Sequence, residues 1–114
     1  MKRDMELCRA IMLHLETCED TMAPQRITVG DFTPEQVSYH VKLLADAGLI
    51  EALDFSSMDS FHWDPIRLTW EGHEFLDAAR DDSVWNKVMR EAGEVPITVL
   101  KELLVQGVRV AVGL

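Results

Sequence analysis

A chain of 114 residues can build one hydrophobic core but not two ordinary domains, and 47% hydrophobic against 27% charged residues is a folding composition rather than a disordered one. Its 11 Lys and Arg against 20 Asp and Glu leave a formal charge of −9, which opposes any partner whose affinity comes from phosphate neutralisation. The amino-terminal residues lack the apolar run of a signal peptide, and the stretch LLVQGVRVAVGL has only 12 residues and carries Arg109; the expected location is the cytoplasm, with no membrane contact.

The spacing from Asp4 to Cys18 predicts an amphipathic first helix with Met5, Cys8, Ile11, Met12, Leu15 and Cys18 on one face. Cys8 and Cys18 stand roughly 15 Å apart along such a helix, too far to pair within it. Two free thiols fit a reducing compartment. ETCEDTMAPQ is a polar connection, and Ile27-Thr28-Val29 can form one short strand before Gly30.

Thr33-Pro34-Glu35-Gln36 opens a second helix with a capping residue, a proline at the first helical position and a glutamine able to complete a capping box. Val37, Val41, Leu44 and Ala47 form its buried stripe, and Gly48 can take the left-handed conformation that stops it. In EALDFSSMDSFHWD, alternation pairs Leu53 with Phe55 and Phe61 with Trp63 about a Ser-Ser-Met-Asp-Ser turn, which predicts a hairpin. Pro65 marks an interruption or an edge, after which Ile66 and Leu68 continue past a bulge.

Thr69 caps a third helix in which Gly72, Phe75, Leu76 and Ala79 share a face. The apolar phase changes across Arg80-Asp81-Asp82-Ser83, so Val84, Trp85, Val88 and Met89 belong beyond a kink or on a fresh helix closed by Gly93. Pro96 begins a last helix, and the tail GVRVAVGL is open between frayed helix and strand. The expected domain is single, 1–114, with a core over about 1–80 and a helical extension over about 82–114.

Helix, short strand, helix, hairpin, helix is the order of a winged helix: an α+β, mostly α domain whose hairpin is the wing, here with additional C-terminal helices. The segment VSYHVKLLADAGLIEA resembles the recognition helix and following strand of the arsenic-sensor and multiple-antibiotic-resistance classes of bacterial repressor. Over more of its length, through MKRDMELCRAI, SYHVKLLADAGLI and LTWEGHEFLDAARDDSVWNK, the chain resembles a small phage and prophage family of unknown function. That resemblance implies a phage setting and carries no activity. Gly30 to Phe32 leaves almost no room for the supporting helix that such repressors place before the reading helix.

A reading helix needs donors for base edges and a basic surround. The outward positions of the second helix are expected to be Glu35, Ser38, Lys42, Ala45 and Asp46, with Tyr39 at their margin and His40 near the buried stripe. Only Lys42 among them is cationic. Across 51–69, Glu51, Asp54, Asp59 and Asp64 face Arg67 alone, for −3.

The expected function is therefore non-enzymatic regulation through protein contact, made by Glu35, Ser38, Tyr39, His40, Lys42 and Asp46 on the helix and by Asp54, Asp59, His62, Trp63 and Asp64 on the hairpin. The alternative is a dimeric operator-binding repressor using Ser38, Tyr39, His40 and Lys42. Trp70 and Trp85 are expected to pack inside, whereas Trp63 is open between core and anchor. His73 with Asp77, and His14 with Cys18, have i, i+4 spacing, but two ligands do not close a zinc site, and no catalytic residue, metal or cofactor is expected. Val99, Leu100, Leu103 and Leu104 either seal the core or meet a second copy, giving a homodimer.

Overall fold

A computed structural model describes residues 1–92. The expected last helix with its dimer face, Val99, Leu100, Leu103 and Leu104, lies outside the described residues, as do Gly93 and the tail from Gly107. Two compact units divide the chain, Met1–Gly72 and the part beginning at His73. The class is α+β, with four helices and one two-stranded antiparallel sheet among the described residues.

In the first unit, α1 (Met5–Thr17) starts where the Asp4 carboxylate accepts the N–H groups of Glu6 and Leu7 at 2.9 and 3.3 Å, satisfying two of the helix's orphan donors. It buries Leu7, Cys8, Ile11, Met12 and Leu15. Leu7 joins the expected face, while Met5 and Cys18 at its ends are only half-buried. Burial pushes the Cys8 thiol up from 9.0 to about 12, outweighing the opposing pull of Arg3. The folded chain holds this proton where the unfolded chain releases it, so the stability it contributes is complete below pH 9 and is lost as pH rises toward about 12. Folding stability is expected to decline more steeply across that window in the wild type than in Cys8→Ala. Urea midpoints taken on both sides of it test this, and parallel declines would contradict it.

No helix or strand forms between Thr17 and Pro34. The strand expected at Ile27-Thr28-Val29 is absent, although Ile27 and Val29 are half-buried and Thr28 exposed as a one-faced strand would have them. The hairpin beside this segment offers too few groups to pair with. Gln25 N–H reaches Pro65 C=O at 2.7 Å, but Pro65 has no N–H to return, and the next outward-facing groups, those of Trp63, are held by Ser38.

α2 (Pro34–Asp46) opens with the capping box that its sequence predicts: Gln36 N–H to Thr33 Oγ1 at 3.1 Å and Thr33 N–H to Gln36 Oε1 at 2.8 Å. It ends at Gly48, whose φ of +77° suits glycine. β1 (Ile50–Asp54) then pairs antiparallel with β2 (Trp63–Leu68), Ile50 facing Leu68, Glu51 Arg67, Ala52 Pro65, Leu53 Asp64 and Asp54 Trp63. The register shifts between Glu51 and Ala52, leaving Ile66 as the extra residue of a bulge. Pro65 fits because it occupies a position whose N–H would not enter the ladder. α1 packs on α2 and β2, and α2 packs on both strands.

Thr69 locks the hairpin's exit. Its N–H donates to Leu49 C=O at 3.0 Å, its hydroxyl donates to Gly48 C=O at 2.6 Å, and the same oxygen accepts Gly72 N–H at 3.0 Å, capping α3 (Trp70–Ala79). Gly72 brings the helix so close to Leu49 that a Cβ there would lie 1.9 Å from the Leu49 carbonyl oxygen.

In the second unit the expected phase break is a true end, with α4 (Asp82–Ala92) a fresh helix. The Asp81 carboxylate accepts Ser83 N–H, Ser83 Oγ–H and Val84 N–H at 2.9, 2.7 and 3.2 Å. These bonds, the Ser83 hydroxyl foremost, hold its carboxyl below the usual range. Phe75, Leu76, Ala79, Val84, Trp85 and Val88 are buried, and the Phe75 and Trp85 rings meet edge to face at 6.4 Å.

Candidate interaction face of the central helix and hairpin

Of the candidate contacts on α2, Ser38 is inside although it was expected to face outward, and His40 is inside as its place near the buried stripe predicts. Ser38 is 3% exposed, its Oγ accepting Trp63 N–H at 3.1 Å and donating to Trp63 C=O at 3.5 Å. His40 is 2% exposed; Nδ1–H donates to Gln36 C=O at 2.7 Å and Nε2 accepts Asp4 N–H at 2.8 Å. One donor and one acceptor define a neutral imidazole in a fixed tautomer. The buried arc of α2 is wider than the stripe Val37, Val41 and Leu44 because α1 and the hairpin both pack on it.

Tyr39 is half-buried, its ring edge-on to His40 at 5.7 Å. Glu35, Lys42 and Asp46 do reach the surface, with Lys42 Nζ bonded to Asp46 Oδ2 at 2.7 Å. That hydrogen bond holds the ammonium above its ordinary pKa. The one cation of this face is thus already engaged by an acid of the same helix.

On the hairpin, Asp54 and Asp59 are exposed, and His62, Trp63 and Asp64 half-buried. Asp54 accepts Ser56 N–H at 2.8 Å, and the Ser56 hydroxyl and N–H hold its carboxyl below the usual range. His62 Nε2 lies 2.8 Å from Asp64 Oδ1 and 3.4 Å from Arg26 Nη2; the shorter contact makes Nε2–H a donor to the carboxylate. Arg67 pairs with Glu51 across the strands and donates to Thr21 C=O at 2.7 Å. The indole Nε1 of Trp63 is buried with no hydrogen-bond partner among the described residues, so Trp63 belongs more to the packing than to the surface.

The turn Met58-Asp59 is closed by Ser57 N–H to Ser60 C=O at 2.8 Å and by the two serine hydroxyls at 3.1 Å. Neither central residue has a positive φ, so the turn lacks the twist that continues a ladder. Phe55, Ser56, Phe61 and His62 accordingly fall outside the strands, stitched instead by Phe55 N–H to His62 C=O at 2.7 Å and His62 N–H to Ser56 Oγ at 2.9 Å.

Sequence reasoning missed the apolar surface here: Leu53 is 45% exposed, Phe55 50%, Met58 103% and Phe61 39%. For Leu53 the deciding feature is the register rather than the alternation of the sequence: it faces Asp64 across the strands, and cross-strand neighbours share a face. Trp70 is likewise 78% exposed rather than packed; it precedes Gly72 by two positions, which turns it about 200° from the buried side. On α3, His73 and Asp77 are both exposed, Asp77 accepting from Arg80 at 2.8 Å.

A family model described as "Hypothetical protein (DUF2513)" matches residues 2–97, a span that takes in every element above. The chain belongs to the DUF2513 family. An uncharacterized protein of Haemophilus influenzae is similar to it, 46% identical over 91 residues that cover 77% of this chain and 75% of its own. No solved structure matches. Among the described residues of this DUF2513 protein, no helix is long and apolar enough to cross a membrane, and no three His, Cys, Asp or Glu side chains group so as to hold a metal. Its hairpin instead combines apolar side chains in water with carboxylates, an arrangement suited to docking.

Proposed function

We propose that this DUF2513 protein is a non-enzymatic, winged-helix-like regulator of phage or prophage origin, working in the cytoplasm by protein contact, with the hairpin as its wing. The observation that carries this reading is the exposure of Leu53, Phe55, Met58 and Phe61 on a hairpin whose acids outnumber its cations. Four large apolar side chains exposed along one hairpin favour a protein surface over a solvated one. Carboxylates beside them repel phosphate and favour a cationic partner.

The operator-binding alternative draws its support from the order of helices and hairpin, yet two of its four reading residues, Ser38 and His40, have their polar atoms committed inside the fold.

The test is affinity capture from infected host lysate, split into nuclease-treated and untreated halves. A protein should persist through nuclease and be reduced about tenfold or more by Leu53→Ser with Phe55→Ser, the magnitude of losing a buried apolar anchor. A discrete DNA fragment seen only in the untreated half, and lost on Lys42→Glu, would establish the alternative instead.

A further inference from the structure

The two edges of the sheet differ. Phe55 N–H donates to His62 C=O at 2.7 Å and Thr69 N–H to Leu49 C=O at 3.0 Å, which marks these pairs as bonded across the hairpin. Antiparallel alternation then makes Leu53–Asp64 a bonded pair and turns the N–H and C=O of Ala52 and Asp54, and those of Trp63 and Pro65, away from the partner strand.

On β2 those outward groups are all spoken for. Trp63 N–H and C=O are both met by Ser38 Oγ, Pro65 has no N–H, and Pro65 C=O accepts from Gln25. On β1, the backbone groups of Ala52 and Asp54 have no hydrogen-bond partner among the described residues, and Ala52 is half-buried while Asp54 is exposed.

A row of alternating amide donors and acceptors is matched by another peptide backbone, not by nucleic acid or lipid. The side chains beside this row define which backbone. A strand added next to β1 would set its residues alternately beside Leu53 and Phe55, which are apolar and exposed, and beside Asp54, which has no ion-pair partner among the described residues. Lys42, the nearby cation, is bonded to Asp46. A second copy would bring Glu51 and Asp54 where cations are wanted, on a chain of charge −9.

We propose that the outer edge of β1 accepts an extended segment of a partner protein in which apolar residues alternate with Lys or Arg. This rests on the protein-contact reading and names the chemistry of its partner.

The experiment uses the full chain and two synthetic decapeptides, one alternating Val with Lys and one Val with Glu, read by backbone amide NMR and hydrogen exchange. The lysine peptide should shift and protect the amides of Ala52 and Asp54, and the glutamate peptide should not. Ala52→Pro removes an N–H that makes no ladder bond, so it should leave the melting temperature in place and weaken the lysine peptide at least about tenfold, the worth of one lost interaction near 1.4 kcal/mol. If the variant melts early, N-methylating the peptide amides that would face β1 should give the same loss on the unaltered protein.

Unchanged Ala52 and Asp54 amides at millimolar lysine peptide, or equal binding of the methylated peptide, would overturn the proposal. The nuclease-treated capture separates this failure from that of the broader reading. A partner protein retained equally by Ala52→Pro sinks the edge alone, whereas wild type retaining only DNA sinks both.

Discussion

Gly72→Ala is expected to destabilise the protein by about 3–5 kcal/mol, at the upper end of single substitutions. The new Cβ would sit 1.9 Å from the carbonyl oxygen of Leu49, 2.9 Å from its carbonyl carbon and 3.4 Å from Leu68 Cδ2. Backbone cannot step aside cheaply here, because the same oxygen accepts Thr69 N–H and the same threonine caps the helix that carries Gly72. Helix propensity alone predicts the opposite sign, a gain of roughly 0.5–1 kcal/mol for alanine over glycine inside a helix. Urea unfolding therefore discriminates cleanly: a variant as stable as wild type would mean that the helix does not approach the strand entry this closely.

His40→Ala should cost about 2–4 kcal/mol, combining a cavity with the orphaned N–H of Asp4. Gln36 C=O keeps a helical donor when the imidazole is gone, but Asp4 N–H loses the acceptor it finds in Nε2, at the residue that caps α1. The substitution thus loosens the start of one helix by truncating a side chain on another. Lys42→Ala, on the exposed side of α2, should leave the denaturation midpoint nearly unmoved. If His40→Ala left the denaturation midpoint unmoved while changing affinity for DNA, the histidine would be a surface reader after all.

What was legible in the sequence was written in local chemistry. Thr33, Pro34 and Gln36 announce a helix start because the cap is made within four consecutive residues, and Gly48 announces the stop because a left-handed φ is tolerated there. The bulge after Pro65 and the break between α3 and α4 are equally local, one set by a missing N–H and the other by a change of apolar phase. Illegible were the consequences of what packs on what. Ser38 reads as a solvent-facing serine until the hairpin is laid against α2, and Ile27-Thr28-Val29 reads as a strand until its neighbour proves to have few groups to offer. Of the candidate contacts, Glu35, Asp46, Asp54 and Asp59 are exposed, as charge alone drives them out. Leu53 was missed because hydropathy pointed inward while its register opposite Asp64 turned it outward, and Phe55 and Met58 because they lie beyond the strands, toward the turn, where both are exposed.

The proline in β2 also sets a ceiling on association through the strand edges. Were two copies forced together through β1 at high concentration, the product would be four strands with a β2 on each outside. Neither flank could template a third copy, since Trp63 is occupied by a serine and Pro65 has nothing to donate. Fibril growth requires every newly added chain to expose a fresh edge, and here the first addition would consume both.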